Sequence, residues 1–339
     1  VSPLSASMAL GMAMNGAAGG TWDAMRNALG FQGLAEDDIN NAYRGLIAQL
    51  RARDPKVEFV LANSVWYRQG FAVKQPFLLA AQQHFDAAVT GLDFNSPAAP
   101  RTISQWAENR TGGRIKDLVE SIDPLDMMFL VNAVYFKAPW QHPFEPNATS
   151  QQPFQRAAGG SVNVPMMMQD RQLPFVKNND VQIVELPYAG GAFSMVVMSP
   201  ATGTDLNAFI NRLTPQQWDA WMAALQVGRV MVNMPKFRFE YAIGLKPALS
   251  SLGMGVAFEP RVADFTRIAD LDDLHISAVQ HKTFIDVHEL GTEAAAATSV
   301  TIGVTSMPPE VRFDRPFVFA IRERSSGTIL FLGRVGDPS

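Results

Sequence analysis

Apolar residues recur at helical spacing in six segments, 4–16, 21–29, 37–52 ("DDINNAYRGLIAQLR"), 75–87, 101–110 and 205–225, and each predicts an amphipathic helix. Runs rich in β-branched and aromatic residues predict strands at 57–67 ("VEFVLANSVWY"), 127–136 ("MMFLVNAVYF"), 181–187, 192–199, 228–234, 275–288 and 315–335. In "SPLSASMALGMAM" a serine and a proline precede the first apolar run, where an N-cap and a first-turn proline belong. That run resembles a signal-peptide core only superficially. Helices gather early and strands late without a βαβα alternation, so the pattern predicts an α+β architecture with large antiparallel sheets. No segment repeats at a fixed period.

One stretch departs from both periods. "HELGTEAAAATSV", residues 288–300, places four alanines directly after the strand-like "KTFIDVHEL" and before "TIGVTSMPPEV". Alanine alone favours helix. If residues 292–303 form a strand instead, Thr292, Ala294, Ala296, Thr298, Val300 and Ile302 share one face, and Glu293, Ala295, Ala297, Ser299, Thr301 and Gly303 the other. The first face is uncharged and begins small, which suits burial, and the only charge falls on the second.

Composition narrows the functional classes. The 339 residues show no linker at which to divide them, so a single domain is expected. With 28 basic against 32 acidic residues there is no broad basic field, and no nucleic-acid partner is implied. No apolar run reaches the roughly 18 residues of a membrane span, so a soluble chain without a membrane partner is expected. Cysteine is absent, which removes disulfides and thiolate chemistry. His288 and Glu289 begin a zinc-protease-like "HELGT", but Thr292 stands where the second histidine would be needed. No G-x-S-x-G elbow occurs, "GMGVAF" lacks the third glycine of a dinucleotide loop, and His84, His142, His275, His281 and His288 show no metal spacing. Neither a catalytic site, a metal nor a cofactor is expected.

Eight segments, taken in order, resemble the serpin family. They are "SPLSASMALGMAMNGAAGGT", "ISQWAENRTGGRIKDLV" (103–119), "LVNAVYFKAPWQHPF" (130–144) and "ELPYAGGAFSMVVMSP" (185–200). Then follow "MPKFRFE" (234–240), "LGMGVAFEPRVADF" (252–265), "ISAVQHKTFIDVHELGTEAAAAT" and "DRPFVFAIRERSSGTILFLGRVGDP". The resemblance runs from Ser2 to Pro338. It implies the serpin fold, with about eight helices packed on three mostly antiparallel β-sheets. A reactive-centre loop is expected to lie exposed near the C-terminus, at about 289–310. The family's usual first helix and short strand would precede Val1, so a truncated or processed chain is expected. An extracellular or periplasmic location is favoured.

The resemblance also implies a function. Such a chain is a suicide-substrate inhibitor of serine proteases, whose loop inserts into the central sheet after cleavage while the protease is still esterified to it. It implies a hinge at Glu289, Gly291, Thr292, Glu293, Ala294, Ala295, Ala296, Ala297 and Thr298. The family's usual loop length, anchored by "SMPPEVRF", puts the reactive bond between Thr305 and Ser306, with Val304 the second choice. No lysine or arginine lies between Lys282 and Arg312, which disfavours trypsin-like targets and suits elastase-like or subtilisin-like ones. By resemblance Ser2, Ser5, Asn132 and His281 form a polar shutter, where His281 and Asn132 would share a hydrogen bond, and Trp140 lies at the breach. Arg44, Arg51, Arg53 and Lys56 lie where some serpins bind heparin, but Asp37, Asp38 and Asp54 dilute them, and a solvated face is expected. A monomer with a protease as its partner follows. The alternative is a non-inhibitory carrier, chaperone or storage serpin.

Overall fold

The computed structural model describes residues 1–293 and 308–339. Among these residues the helices are α1 (Pro3–Met14), α2 (Gly19–Ala28), α3 (Glu36–Ala52), α4 (Gln75–Phe85), α5 (Ala99–Arg110), α6 (Leu206–Asn211), α7 (Pro215–Ala224) and α8 (Lys246–Leu249). The first strands are β1 (Glu58–Arg68), β2 (Ala87–Leu92), β3 (Met128–Pro139), β4 (Ser150–Gln155), β5 (Ser161–Lys177), β6 (Val181–Pro187) and β7 (Phe193–Pro200). They are followed by β8 (Gln226–Pro235), β9 (Phe237–Gly244), β10 (Gln280–His288), β11 (Gly291–Thr292), β12 (Glu310–Arg312), β13 (Phe317–Glu323) and β14 (Ile329–Val335). The fold is α+β.

Hydrogen bonding groups the strands into a six-stranded path, β2-β1-β3-β11-β10-β9, and an eight-stranded one, β12-β8-β5-β6-β7-β13-β14 with β4 on β5. The 17-residue β5 pairs with β4, β8 and β6 along its length, which joins strands that the three-sheet expectation would separate. The chain forms two compact units. The first comprises Val1–Arg53, Phe59–Tyr135 and Glu240–Phe284, the second Asp54–Glu58, Phe136–Phe239 and Ile285–Ser339.

In the first unit, Ser2 caps α1 and Pro3 opens it, as their order predicts. Most of α1 is buried, and its Asn15 exchanges two side-chain hydrogen bonds with Asn40 of α3, at 3.0 and 2.8 Å. α3 carries Glu36, Asp37 and Asp38 in its first turn and Arg51 in its last, the order a helix dipole favours. α5 packs Ile103 and Trp106 onto Trp66 of β1 and Val131 of β3.

The second unit holds the whole eight-stranded path, with every residue of β6 and β7 buried. Helices α6 and α7 pack on these strands, where Phe209 and Trp221 stack at 5.5 Å. The expected helix 205–225 is two, because Thr214 caps a second start and Pro215 has no amide proton to continue the first. The expected strand 315–335 is likewise a hairpin: the Glu323 carboxylate, fully buried, accepts from Ser325 and Ser326 and closes the turn between β13 and β14. Glu185 of β6, also buried, accepts from Arg322 at 2.7 Å and from Ser194 at 2.7 Å. Burial alone would raise its pKa, but Arg322, Ser194 and Arg324 outweigh it and hold the carboxyl below its ordinary range.

Candidate functional site

In the second unit the segment expected to be the hinge begins as a strand. β10 ends at His288, and Gly291 and Thr292 return beside it as β11, pairing Thr292 with Val287 and Gly291 with His288. On its other edge β11 pairs with the end of β3, Thr292 with Ala138 and Gly291 with Pro139. The return requires φ 150° at Gly291, a conformation that side chains disfavour. Thr292 is 2% exposed, and its hydroxyl lies 2.7 Å from that of Tyr188. Tyr188 stacks on Trp140, with centroids 4.4 Å apart and planes 12° from parallel. Trp140 in turn donates from its indole to the His288 carbonyl and from its backbone to the Leu290 carbonyl, both at 2.9 Å. Burial pushes the Tyr188 hydroxyl far above its ordinary pKa, so it stays neutral.

Glu289 anchors the same corner by charge. Its carboxylate is 2.6 Å from Lys236 Nζ and accepts from Thr149 Oγ1 at 2.8 Å. Burial acts to raise its pKa, but Lys236, the Glu289 backbone and Thr149 together hold it below the ordinary carboxylate value. Glu293 has φ 53°, so the extended backbone of β11 ends at Thr292. Of the expected hinge and breach residues, Glu289, Gly291, Thr292 and Trp140 thus meet in one place. Ala294, Ala295, Ala296, Ala297, Thr298, Val304, Thr305 and Ser306 lie outside the described residues.

The expected shutter residues lie in the first unit and form two separate clasps. The Ser2 amide donates to His281 Nε2 at 2.7 Å, while Ser2 Oγ accepts from the Ser5 amide at 3.2 Å. Because Nε2 accepts, the ring is neutral with its proton on Nδ1. His281 is 5% exposed, and burial pushes its pKa down to about 4. The second clasp joins neighbouring strands: Asn132 of β3 donates to Asn63 Oδ1 of β1 at 2.6 Å, and Asn63 donates to the Phe85 carbonyl at 2.6 Å. In place of the expected His281–Asn132 bond, His281 meets the Ser2 amide and Asn132 meets Asn63, which leaves Asn132 Oδ1 buried without a hydrogen-bond partner. Asn63, Tyr188, Lys236 and Thr149 were not singled out by sequence. Their signals were a lone asparagine in a strand-like run and a tyrosine beside "AGG", neither specific.

A family model described as serpin (serine protease inhibitor) matches residues 1–338. The chain belongs to the serpin family. It is 36% identical to an uncharacterized serpin-like protein of Thermococcus kodakarensis, over 99% of this chain and 80% of that one. It is 35% identical to the leukocyte elastase inhibitor of Bos taurus, over 100% of this chain and 92% of that one. Among solved structures it is similar to the thermophilic serpin tengpin in its native state, with TM-score 0.92 and 33% identity, covering 99% of this chain and 88% of that one. It is also similar to thyroxine-binding globulin in complex with thyroxine, with TM-score 0.90 and 28% identity, covering 100% and 92%. The serpin fold expected from sequence is thus shown, and the family it belongs to is one of protease inhibitors rather than proteases. Among the described residues no helix is long and apolar enough to cross a membrane, and no group of three His, Asp or Glu side chains could hold a metal.

Proposed function

We propose that this serpin is a suicide-substrate inhibitor of elastase-like or subtilisin-like serine proteases, with Thr305–Ser306 as the bond offered and Val304 as second choice. The observation that supports this reading most is β11, a two-residue strand paired on both edges between β3 and β10 where the alanine-rich segment begins. In the proposed step the protease serine attacks the Thr305 carbonyl, the Ser306 amine leaves, and an ester joins Thr305 to the protease. The freed segment then continues the strand that Gly291 and Thr292 have begun. From Thr292 to Thr305 it spans roughly 45 Å at about 3.3 Å per residue. Each new ladder bond contributes about 0.5–1.5 kcal/mol, and the small inward side chains add buried area without a charge. Trapping succeeds when insertion is faster than hydrolysis of the ester.

Incubation with pancreatic elastase, subtilisin and trypsin followed by denaturing gels tests this. A covalent band with elastase or subtilisin, a released peptide beginning at Ser306 and none with trypsin are expected. The likeness to thyroxine-binding globulin favours a second reading, a non-inhibitory carrier, and cleavage by every enzyme without any covalent band would establish it instead.

A further inference from the structure

Asp54 reads in sequence as one more surface acid beside Arg53 and Lys56, yet in the second unit it is buried. Its two carboxylate oxygens accept from backbone amides, Oδ1 from Lys56 at 3.0 Å and Oδ2 from Gly190 at 2.9 Å. The first bond closes a local turn on its own segment. The second reaches 136 positions along the chain, to the turn between β6 and β7.

That turn is crowded and takes an unusual course. Ala189 has φ 32°, a region that side chains disfavour, and Gly191 has φ 83°. A Cβ on Gly190 would lie 2.7 Å from Asp54 Oδ2, so only glycine lets the carboxylate come this close. The neighbouring peptide groups are tied as well. Ala189 donates to the Pro139 carbonyl at 2.9 Å, Gly191 to the Tyr188 carbonyl at 2.6 Å, and the Arg324 amide to the Ala192 carbonyl at 2.9 Å. At the middle of the turn Asp54 supplies a charged acceptor, which makes a stronger bond than a carbonyl does.

Tyr188 opens this turn, and its hydroxyl is the one that meets Thr292 at 2.7 Å. A displaced turn therefore carries the phenol off the threonine. The segment after Thr292 has to continue the register that β11 begins, because a slip of one residue would exchange its two faces. We infer that Asp54 is a positioning residue for insertion: by clamping Gly190 it holds Tyr188 on Thr292, so that the freed segment enters in register before the ester hydrolyses. This role rests on the inhibitory reading and acts through Tyr188, without contact to the protease or the reactive bond.

Asp54→Asn keeps the shape of the side chain but turns one acceptor into a donor facing an amide proton. With pancreatic elastase or subtilisin, its ratio of covalent complex to cleaved chain should fall about tenfold, the worth of one hydrogen bond to a charged group. Gly190→Ala, which pushes the carboxylate away, should give the same fall. In a Tyr188→Phe background neither substitution should lower the ratio further, because the contact through which Asp54 acts is already gone. An unchanged ratio in Asp54→Asn, or an equal further fall in the Tyr188→Phe background, overturns the proposal even where the variants lose stability. A protease-free measurement separates that failure from failure of the inhibitory reading. In denaturant unfolding, Asp54→Asn should shift the midpoint less in Tyr188→Phe than in the parent, and simple additivity overturns the clamp. A parent that forms no covalent complex overturns the inhibitory reading and the insertion role with it, while coupling in the unfolding cycle upholds the hold of Asp54 on Tyr188.

Discussion

Thr292 in the second unit and Asn132 in the first each meet a neighbour through one short side-chain hydrogen bond, 2.7 and 2.6 Å, but in opposite surroundings. Around Thr292 the partners are aromatic: Tyr188 and Trp140 stack behind it, with the Glu289–Lys236 pair close by in sequence. Around Asn132 and His281 they are neutral amides, a serine cap and an imidazole, with no ion pair to either side chain. The aromatic part of the first arrangement takes its strength from buried area, which pH does not alter. The second depends on keeping polar groups satisfied, so it fails when one partner is removed or changes charge. In the proposed mechanism the hinge must lead while the clasped strands yield, and this division of chemistry suits those two tasks.

The largest expected effect is on the aromatic side. Trp140→Ala removes the stack and the donor to the His288 carbonyl, and should lower stability by about 3–5 kcal/mol, read from the denaturant midpoint. Thr292→Arg comes next, because Thr292 is already buried in β11 and an arginine there puts an unpaired charge inside the sheet where insertion is to start, at a cost of about 3 kcal/mol or more. The variant should still be cut at Thr305–Ser306 but give mainly cleaved chain rather than covalent complex on gels, whereas Glu293→Arg stays largely inhibitory. Equal loss in both would remove the distinction between the two faces.

On the polar side, Asn132→Ala strands Asn63 Oδ1 and should cost about 1–3 kcal/mol. A double-mutant cycle with Asn63→Ala should show positive coupling, and simple additivity would show that the clasp contributes nothing. The His281 clasp is sensitive to acid. Its folded pKa, about 4, lies below its ordinary 6.5, so the unfolded chain binds more protons between those values and stability is lost as pH falls through them. Between about pH 7.5 and pH 5 the loss should be about 2 kcal/mol, absent in His281→Asn. The Glu289 pair has the same sign but a lower window, because its folded pKa is depressed below the carboxylate range. Lys236 is 38% exposed but the Glu289 side chain only 9%, so Lys236→Met leaves a buried carboxylate held by Thr149 and should cost about 1–3 kcal/mol, read from the denaturant midpoint.

Local chemistry was legible where it acts within a few residues. Ser2 and Pro3 announced α1, and the strand-like run 181–187 became β6 with the same bounds. Thr214 and Pro215 announced a break just as clearly, but the apolar spacing on either side ran through it and masked the boundary. β5 was missed because Pro165 and Pro174 argue against a strand, yet both sit in its ladders, opposite Gln151 and Val227. The site was legible as residue types, not as pairings. Asn63 and Asn132 are 69 positions apart, and Lys236 and Glu289 are 53 apart, by subtraction of their numbers. No periodicity links such positions, since only the packed chain decides which buried amide meets which.

The Trp140–Tyr188 stack has one more consequence, an optical one. An indole and a phenol held nearly parallel at 4.4 Å in a rigid interior couple their transition dipoles and give a near-ultraviolet circular dichroism signal, whose sign and size follow their mutual angle. The phenol oxygen is one hydrogen bond from Thr292, so displacement of the hinge rotates or releases one member of that pair. The protein thus carries its own chromophore beside the residue that leads insertion in the proposed mechanism, and stopped-flow dichroism after addition of a protease would time that movement without any attached label.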